Sequence, residues 1–412
     1  MCGWRDADRD NRRELGGARR RERAAAVIRV AIVGAGIAGL GAAIALRRAG
    51  LDTVVWEREP ELREVGAGLT LWPNALHALR RLDVADAVLG AGARLTSGSV
   101  HSWRGAVLVS TGLDLERLFG APAVGIHRAD LQRTLLEAAG AETVHQGAHC
   151  IGFVQAGPRV EVRFADGQTK TADVLVGADG IHSAVREAVL GVEEPRRSPW
   201  AVWRAVCSGV RPPADTNVTI GPGAHFGYLP LGNGRTYWFA VTELGLEAEA
   251  LGRRFQDWPE PVTGLIRSTP ASAVIHNDLI DRPPARRWGR GRVTLIGDAA
   301  HAMLPGLGQG ACQALEDAVA LADSLRDASD PEGGLRRYEA LRMARTARIA
   351  DLSHTALTMM QWQHPAARAL RALLLRAPAR TTLARQAWIY GYGRALPHGP
   401  GRPAAPGDDA EC

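Results

Sequence analysis

Lysine is almost missing from this chain: Lys170 is the only one in 412 residues, so nearly all of the positive charge is carried by arginine. Mechanisms that need a lysine at a set place, the P-loop phosphate site and Schiff-base catalysis, are thereby excluded. Cysteine is scarce and scattered. Cys2, Cys150, Cys207, Cys312 and Cys412 form no C-x-x-C or C-x4-C pair, so neither a zinc site nor a redox-active disulfide is visible and no metal is expected. Reduced thiols of this kind suit the cytoplasm. Long unbroken apolar runs are missing as well. The stretch Ala24 to Leu46 behind Arg19-Arg20-Arg21 has the outline of a twin-arginine signal or a membrane span. Arg29 and several glycines interrupt it, no small-residue cleavage site follows, and a strand, a tight turn and a helix account for every position. A soluble cytoplasmic chain without stable membrane association is expected. The net charge is +6, but the first 26 residues contribute +3 of it through eight arginines against five acids. That pattern reads as a solvated basic arm, and no nucleic-acid partner is expected.

What is present is ordinary for a soluble enzyme: 46% hydrophobic and 23% charged residues. The length exceeds one compact core, which predicts two packed lobes with room for a large cofactor. Val27 to Val33 reads as a buried strand, Gly39 to Ala49 as a helix and Thr53 to Trp56 as the next strand, a βαβ opening. A second passage runs through a helix at Ala129 to Ala139 and strands near Val160 to Phe164 and Val174 to Val176, with Asp166-Gly167 as a hairpin turn. From Trp200 to Val274 apolar and polar residues alternate between Gly and Pro punctuation, which predicts an antiparallel sheet. Strand Val293 to Ile296 returns to the first lobe, a helix begins near Gly310, and Gly334 to Tyr392 is helical without a repeat.

The predicted fold class is therefore α/β: a Rossmann-like βαβ nucleotide fold with an inserted antiparallel-sheet substrate domain and C-terminal helices. The nucleotide domain is discontinuous, over 27–92, 121–190 and 286–330. The β-rich substrate domain takes 93–120 and 191–285, and the closing helices 331–395. A basic arm (1–26) and a Pro/Gly-rich tail (396–412) are expected to be disordered.

Between the first strand and helix stands Gly34-Ala35-Gly36-Ile37-Ala38-Gly39. In that context Gly34 permits the turn, Gly36 lets the backbone approach a pyrophosphate, Gly39 lets helix and strand pack closely, and the helix N-terminus favours negative charge. Glu57, with Arg58 beside it, ends the second strand about 20 residues on, where a carboxylate accepts hydrogen bonds from ribose hydroxyls. Alone, this motif says dinucleotide. Two further clusters follow strands: Gly177-Ala178-Asp179-Gly180-Ile181-His182-Ser183-Ala184-Val185-Arg186, and Gly297-Asp298-Ala299-Ala300-His301 with the run Pro305-Gly306-Leu307-Gly308-Gln309-Gly310-Ala311-Cys312. With these three ordered motifs the chain resembles the flavoprotein aromatic hydroxylases of the p-hydroxybenzoate and salicylate hydroxylase family over roughly residues 27 to 395.

The resemblance implies noncovalent FAD, with NADPH or NADH as a transient co-substrate that has no second Rossmann domain of its own. It implies a single-component monooxygenase that uses O2 through a C4a-hydroperoxyflavin to hydroxylate or epoxidise a small aromatic or heteroaromatic substrate, in specialised metabolism or in catabolism. By the same resemblance Asp298 holds a ribityl hydroxyl, and Pro305, Gly308, Gln309, Gly310 and Ala311 lie beside the isoalloxazine. Arg128, in His127-Arg128-Ala129-Asp130-Leu131, contacts the phosphates or ribityl chain. Thr70, in Gly66-Ala67-Gly68-Leu69-Thr70 ahead of Trp72-Pro73-Asn74-Ala75, sits near the flavin. Asp179 and Arg186 match a motif tied to both FAD and the nicotinamide cofactor.

On the substrate side, His225 and Tyr237 flank the turn Leu231-Gly232-Asn233-Gly234 and should approach each other across a hairpin. They are the candidate catalytic residues, His225 to orient or deprotonate the substrate and so favour a phenolate. Trp203, Arg204 and Phe239 are further substrate-binding candidates, with Arg204 facing either a substrate carboxylate or a neighbouring acid. Phe226 and Trp238 compete for an aromatic wall that alternation allows only some of them to join. An FAD-dependent oxidase or dehydrogenase without oxygen insertion, and a protein in which FAD is only structural, remain open, as do monomer and homodimer.

Overall fold

The apolar run behind the glycine motif dictates where the chain begins to fold. Val30 to Val33 are buried almost completely, as expected of a central strand covered on both faces. The computed structural model describes residues 27–61, 67–112, 114–210, 216–326, 328, 330–376 and 386–393; the basic arm and the Pro/Gly-rich tail lie outside them. In chain order the strands are β1 (Arg29–Val33), β2 (Asp52–Trp56), β3 (Gly68–Leu71), β4 (Ala93–Leu95), β5 (Ser97–Ser102), β6 (Val107–Gly112), β7 (Ala123–His127), β8 (Val144–His145), β9 (Cys150–Ala156), β10 (Arg159–Phe164), β11 (Thr169–Ala172), β12 (Val174–Gly177), β13 (Arg196–Ser208), β14 (Thr216–Ile220), β15 (His225–Pro230), β16 (Arg235–Glu243), β17 (Ile275–Asp281) and β18 (Val293–Leu295). The helices that carry or cover the site are α1 (Ile37–Arg48), α2 (Pro73–Arg81), α3 (Arg128–Ala139), α4 (Ala184–Leu190), α5 (Asp298–His301), α6 (Gly310–Leu325), α7 (Pro331–Met360) and α8 (Pro365–Leu375).

Five strands form a parallel sheet in the order β18-β12-β1-β2-β8. The expected βαβ opening is present: β1 pairs in parallel with β2, and α1 returns between them. Small residues set how tightly α1 packs, since a Cβ on Gly41 would already stand 3.3 Å from the Ala318 methyl of α6. The Asp166-Gly167 turn closes the β10–β11 hairpin, with Gly167 at φ 83°.

A second sheet has seven strands in the order β17-β13-β16-β15-β14-β5-β6. It is antiparallel except for β14 and β5, which run parallel. The sequence expectation of an antiparallel sheet therefore holds at every pairing but that one. Asn233 and Gly234, at φ 61° and 70°, turn β15 into β16, the left-handed pair that matches the twist of a tight hairpin. Beyond α6, α7 starts at Pro331 behind Asp330, whose carboxylate accepts from the N–H groups of Glu332 and Gly333. It then runs 30 residues, against both α6 and the loop before it.

Candidate active site and cofactor cradle

The glycine motif is shaped by contacts within the fold. A Cβ on Gly34, at φ 106°, would lie 2.3 Å from the Ala178 carbonyl oxygen, and one on Gly39 would lie 1.8 Å from that of Gly34. A Cβ on Gly36 would meet no protein atom within 4 Å. Two of the glycines are thus demanded by packing, whereas Gly36 is left as an open cradle at the start of α1. Glu57 braces this turn: its Oε2 accepts the Ala35 N–H at 2.7 Å and its Oε1 the Glu59 N–H at 3.0 Å. Each oxygen keeps a lone pair for a ribose hydroxyl. Arg58 is exposed, and among the described residues its ion-pair partner is Glu59, at 3.5 Å. On the other side, Gln132 of α3 donates to the Ala35 carbonyl at 2.9 Å. Arg128 stands one turn earlier on the same helix face, exposed and open to an anion beside the cradle.

Asp179 lines the same cleft as Gly34, Gly36 and Glu57, but its oxygens are engaged by Ser183 Oγ and the Val185 N–H. Burial raises its carboxyl above the usual range. It therefore holds the start of α4 while walling the cleft. Arg186 is a structural tie: 3% exposed, it donates to the carbonyls of Ala299 and Ala300 at 3.0 and 3.2 Å.

The other end of the cradle is built by three segments. Gly297, at φ 58°, turns β18 into α5, and the exposed Asp298 follows it with its carboxylate clear of protein partners among the described residues. Pro305 to Leu307 make one 3-10 turn, Gly308 is left-handed at φ 61°, and α6 starts at Gly310 with no side chain capping it. The first N–H groups of this 16-residue helix, including those of Gly310 and Ala311, are therefore available to a negative group. Thr70 of β3 lies against the same turn, its carbonyl 3.8 Å from Cys312 Sγ. Gly68 is needed because the Tyr237 ring packs on it, 2.3 Å from where a Cβ would be.

The strand register decides which substrate candidates reach this place. Tyr237 is opposite Leu229 and Val206, Phe239 opposite Gly227 and Arg204, and Val241 opposite His225 and Val202. These residues share one face of the seven-stranded sheet. It packs on Trp72, Met303 and Leu307 at one end and on Leu304 and Leu357 at the other. Trp203, Phe226, Tyr228 and Trp238 share the opposite face and fill a separate core. Trp203 stacks on His276 at 4.0 Å and donates to Thr242 Oγ1, so it is corrected from a substrate contact to a core residue. A second correction concerns His225 and Tyr237. They are not neighbours, because Phe239 stands between them, its ring centroid 6.0 Å from His225 and 5.9 Å from Tyr237.

His225 is buried, and its Nδ1 lies 3.2 Å from Gln361 Oε1. Burial lowers its pKa to about 4, with the Arg371 charge adding to the effect. Arg204 donates to the neutral Asn277 amide, and among the described residues it has no acid partner and its Nε no hydrogen bond. Burial pushes the Tyr237 phenol up to about 12. Gln361 is absent from the sequence-based candidates. So is a buried ion cluster of Glu316, Asp317, Arg342 and Arg345 beneath the Gly297-Asp298 and Pro305–Gly310 loops. The one signal in the sequence is the acidic pair Glu316-Asp317 on a helix rich in Ala and Leu.

An open glycine cradle, an uncapped helix at the far end and a free carboxylate between them fit a long anionic dinucleotide with a redox ring. This defines a flavin-dependent oxidoreductase of the aromatic hydroxylase fold. The chain belongs to the family described as the FAD binding domain, whose model matches residues 27–353, and FAD is its cofactor. It is 40% identical over 358 residues to the aurachin C monooxygenase/isomerase of Stigmatella aurantiaca, over 84% of this chain and 93% of that protein. Against the 3-amino-4-hydroxybenzoate 2-monooxygenase of Streptomyces cremeus the identity is 38% over 386 residues, or 90% and 96% of the two chains. Among solved structures it is similar to Klebsiella pneumoniae HpxO complexed with FAD and uric acid, with TM-score 0.83, 28% identity, and 89% and 97% of the two chains covered. No described helix is long and apolar enough to cross a membrane, and the described residues hold no cluster of metal ligands.

Proposed function

We propose that this chain is a single-component monooxygenase that uses FAD, reduced nicotinamide and O2 to hydroxylate a small aromatic or heteroaromatic substrate carrying a phenolic or other anionic group. The observation that carries the reading is the sheet face on which Phe239 is flanked by His225 and Tyr237 beside the cation Arg204, packed against the same segments that hold the flavin end. A flat ring stacks on Phe239, and an anionic substituent is drawn to Arg204.

The magnitude of the His225 shift decides between two roles for it. With Gln361 Oε1 accepting from Nδ1–H, the lone pair of the imidazole is on Nε2. Burial holds the conjugate acid at a pKa of about 4, far below that of an ordinary phenol. Full proton removal by His225 is therefore unfavourable, and its role is to accept a hydrogen bond and orient the ring. The anionic form is instead favoured by Arg204. Bound FAD, once reduced, supplies the oxygen-transfer chemistry. Met303, Leu307 and Phe239 line the approach with apolar surface that keeps water out. Asp298, Arg128, Glu57, Arg58 and the Pro305–Ala311 turn hold the cofactor, and Asp179 walls its cleft. NADPH or NADH acts as a transient reductant. The scattered thiols Cys150, Cys207 and Cys312 suit a reducing, cytoplasmic compartment.

The test is substrate-stimulated nicotinamide consumption across a panel of phenols and aromatic acids. His225→Ala should lower product formation while flavin content is kept. Equal loss of flavin and of turnover would remove His225 from the substrate pocket, and no aromatic stimulating consumption would remove the proposed function.

A further inference from the structure

Beneath the flavin end of the cradle two carboxylates and a guanidinium are buried together: Glu316 at 2%, Asp317 and Arg342 at 0% exposure. Stability does not explain such a cluster, because a buried ion pair is often no better than apolar residues of the same volume. What apolar residues cannot do is hold polar groups at fixed angles. Resting on the FAD assignment, we propose that Arg342 is a positioning residue for the flavin: it sets the spacing of two cofactor-carrying segments, Gly297-Asp298 and Gly308-Gln309-Gly310, neither of which it touches.

The bonding pattern carries the argument. Arg342 Nε donates to Asp317 Oδ1 at 2.7 Å, and Nη1 donates to Glu316 Oε2. The other oxygen of Asp317 reaches one cofactor segment directly, and that of Glu316 reaches the other through two side-chain amides. Asp317 Oδ2 accepts the Gly297 N–H at 3.0 Å and meets His301 Nε2 at 2.6 Å, which fixes the turn that presents Asp298. Glu316 Oε1 accepts from Asn74 Nδ2 at 2.7 Å and Gln313 Nε2 at 3.1 Å.

These two amides then hold Gln309. Asn74 Nδ2 and Gln313 Nε2 donate to Gln309 Oε1 at 3.0 and 2.9 Å. Their orientation is not arbitrary, because an arginine can only donate and a carboxylate only accept. Arg342 Nη2 donates to Gln313 Oε1 at 2.7 Å, which turns the amide NH2 of Gln313 toward Glu316 and Gln309. The carboxylate likewise turns the Asn74 NH2. The charged centre thus fixes the polarity of three neutral amides, and through Gln309 it seats the turn at the open N-terminus of α6. Arg345 shares Glu316 but spends its remaining donors on the carbonyls of Trp388 and Ile389, so it does not bridge the two acids.

Arg342→Lys keeps the charge and loses the planar fork that spans both acids. Three quantities are measured on the full chain: FAD affinity by fluorescence titration, the midpoint potential and visible spectrum of bound flavin, and the melting temperature of the FAD-free protein. The expected result is a folded variant whose FAD affinity falls by about tenfold or more, as when the partner of a ligand-holding group is removed, with the potential and spectrum displaced. Wild-type affinity, potential and spectrum in a folded Arg342→Lys variant would overturn the proposal. If Arg342→Lys does not fold, the double variant Asn74→Ala/Gln313→Ala decides, since it removes both amides that hold Gln309 and leaves Arg342 and the two acids in place: weaker FAD binding with a displaced potential supports the proposal, and wild-type values for both refute it. Wild-type protein titrated in parallel separates these outcomes from a failure of the FAD assignment itself.

Discussion

Gly36 and Gly39 lie in the same turn, yet an added methyl group should act on them through different states of the protein. In Gly36→Ala the backbone, at φ −74° and ψ −176°, suits alanine, and the new Cβ meets no protein atom within 4 Å. The only intrinsic cost is alanine at a helix N-cap, below about 1 kcal/mol, which moves the melting temperature of the FAD-free protein by about 2–4 °C at most. With FAD bound, the methyl group occupies the approach to the pyrophosphate. An overpacked contact of that size costs about 1–3 kcal/mol, or about 5- to 150-fold in Kd. Gly39→Ala behaves differently: its Cβ would stand 1.8 Å from the Gly34 carbonyl oxygen, so α1 must move away from the turn with or without cofactor. Calorimetry of the FAD-free proteins and fluorescence titration with FAD measure the two effects. Gly36→Ala with undiminished FAD affinity, or with a melting temperature lowered as far as that of Gly39→Ala, would refute the assignment of Gly36 to the pyrophosphate.

Asp298→Ala should weaken FAD binding and leave the FAD-free melting temperature unchanged, because the carboxylate is exposed and bonds to no other side chain or backbone group among the described residues; a destabilised apoprotein with normal FAD affinity would contradict this. His225 gives the chain an acid-sensitive component. Its pKa falls from 6.5 unfolded to about 4 folded, so below pH 6.5 the unfolded chain binds a proton that the folded chain refuses. Stability attributable to His225 is thus intact above pH 6.5 and declines toward pH 4 by about 3 kcal/mol. Urea titrations of wild type and His225→Leu between pH 4 and 7 should show a shallower decline in the variant, and parallel curves would exclude the buried neutral imidazole. Arg204→Gln should raise KM for an anionic aromatic substrate far more than for a neutral analogue, and equal changes for both would remove Arg204 from substrate recognition.

Local demands made much of the cradle readable in advance. Gly39 and the Asp166-Gly167 turn answer requirements set within the motif or hairpin, Gly34 is given by its place in the motif although the atom that crowds it belongs to the distant Ala178, and Glu57 follows from strand length. The substrate face was readable only in part. Alternation shows that Trp203 and Arg204 face opposite ways, but which one meets Tyr237 depends on the pairing of Val206 with Tyr237, and parity between strands is invisible until register is known. The separation of His225 from Tyr237 follows from counting outward from the three-residue loop Gly232-Asn233-Gly234, closed by the Leu231 N–H to Arg235 carbonyl bond, which pairs His225 with Val241 and Tyr237 with Leu229. The Arg342 cluster was beyond reach, since its acids and its arginine come from different helices whose faces meet only in the folded chain.

The central claim, that this chain inserts an atom of dioxygen into an aromatic ring, is tested most directly by turnover under isotopically labelled O2 with FAD, reduced nicotinamide and the aromatic that best stimulates its oxidation. The account predicts a product carrying one labelled oxygen atom for each nicotinamide consumed in coupled turnover. Stoichiometric hydrogen peroxide beside an unchanged aromatic, or a product whose new oxygen comes from water, would contradict it.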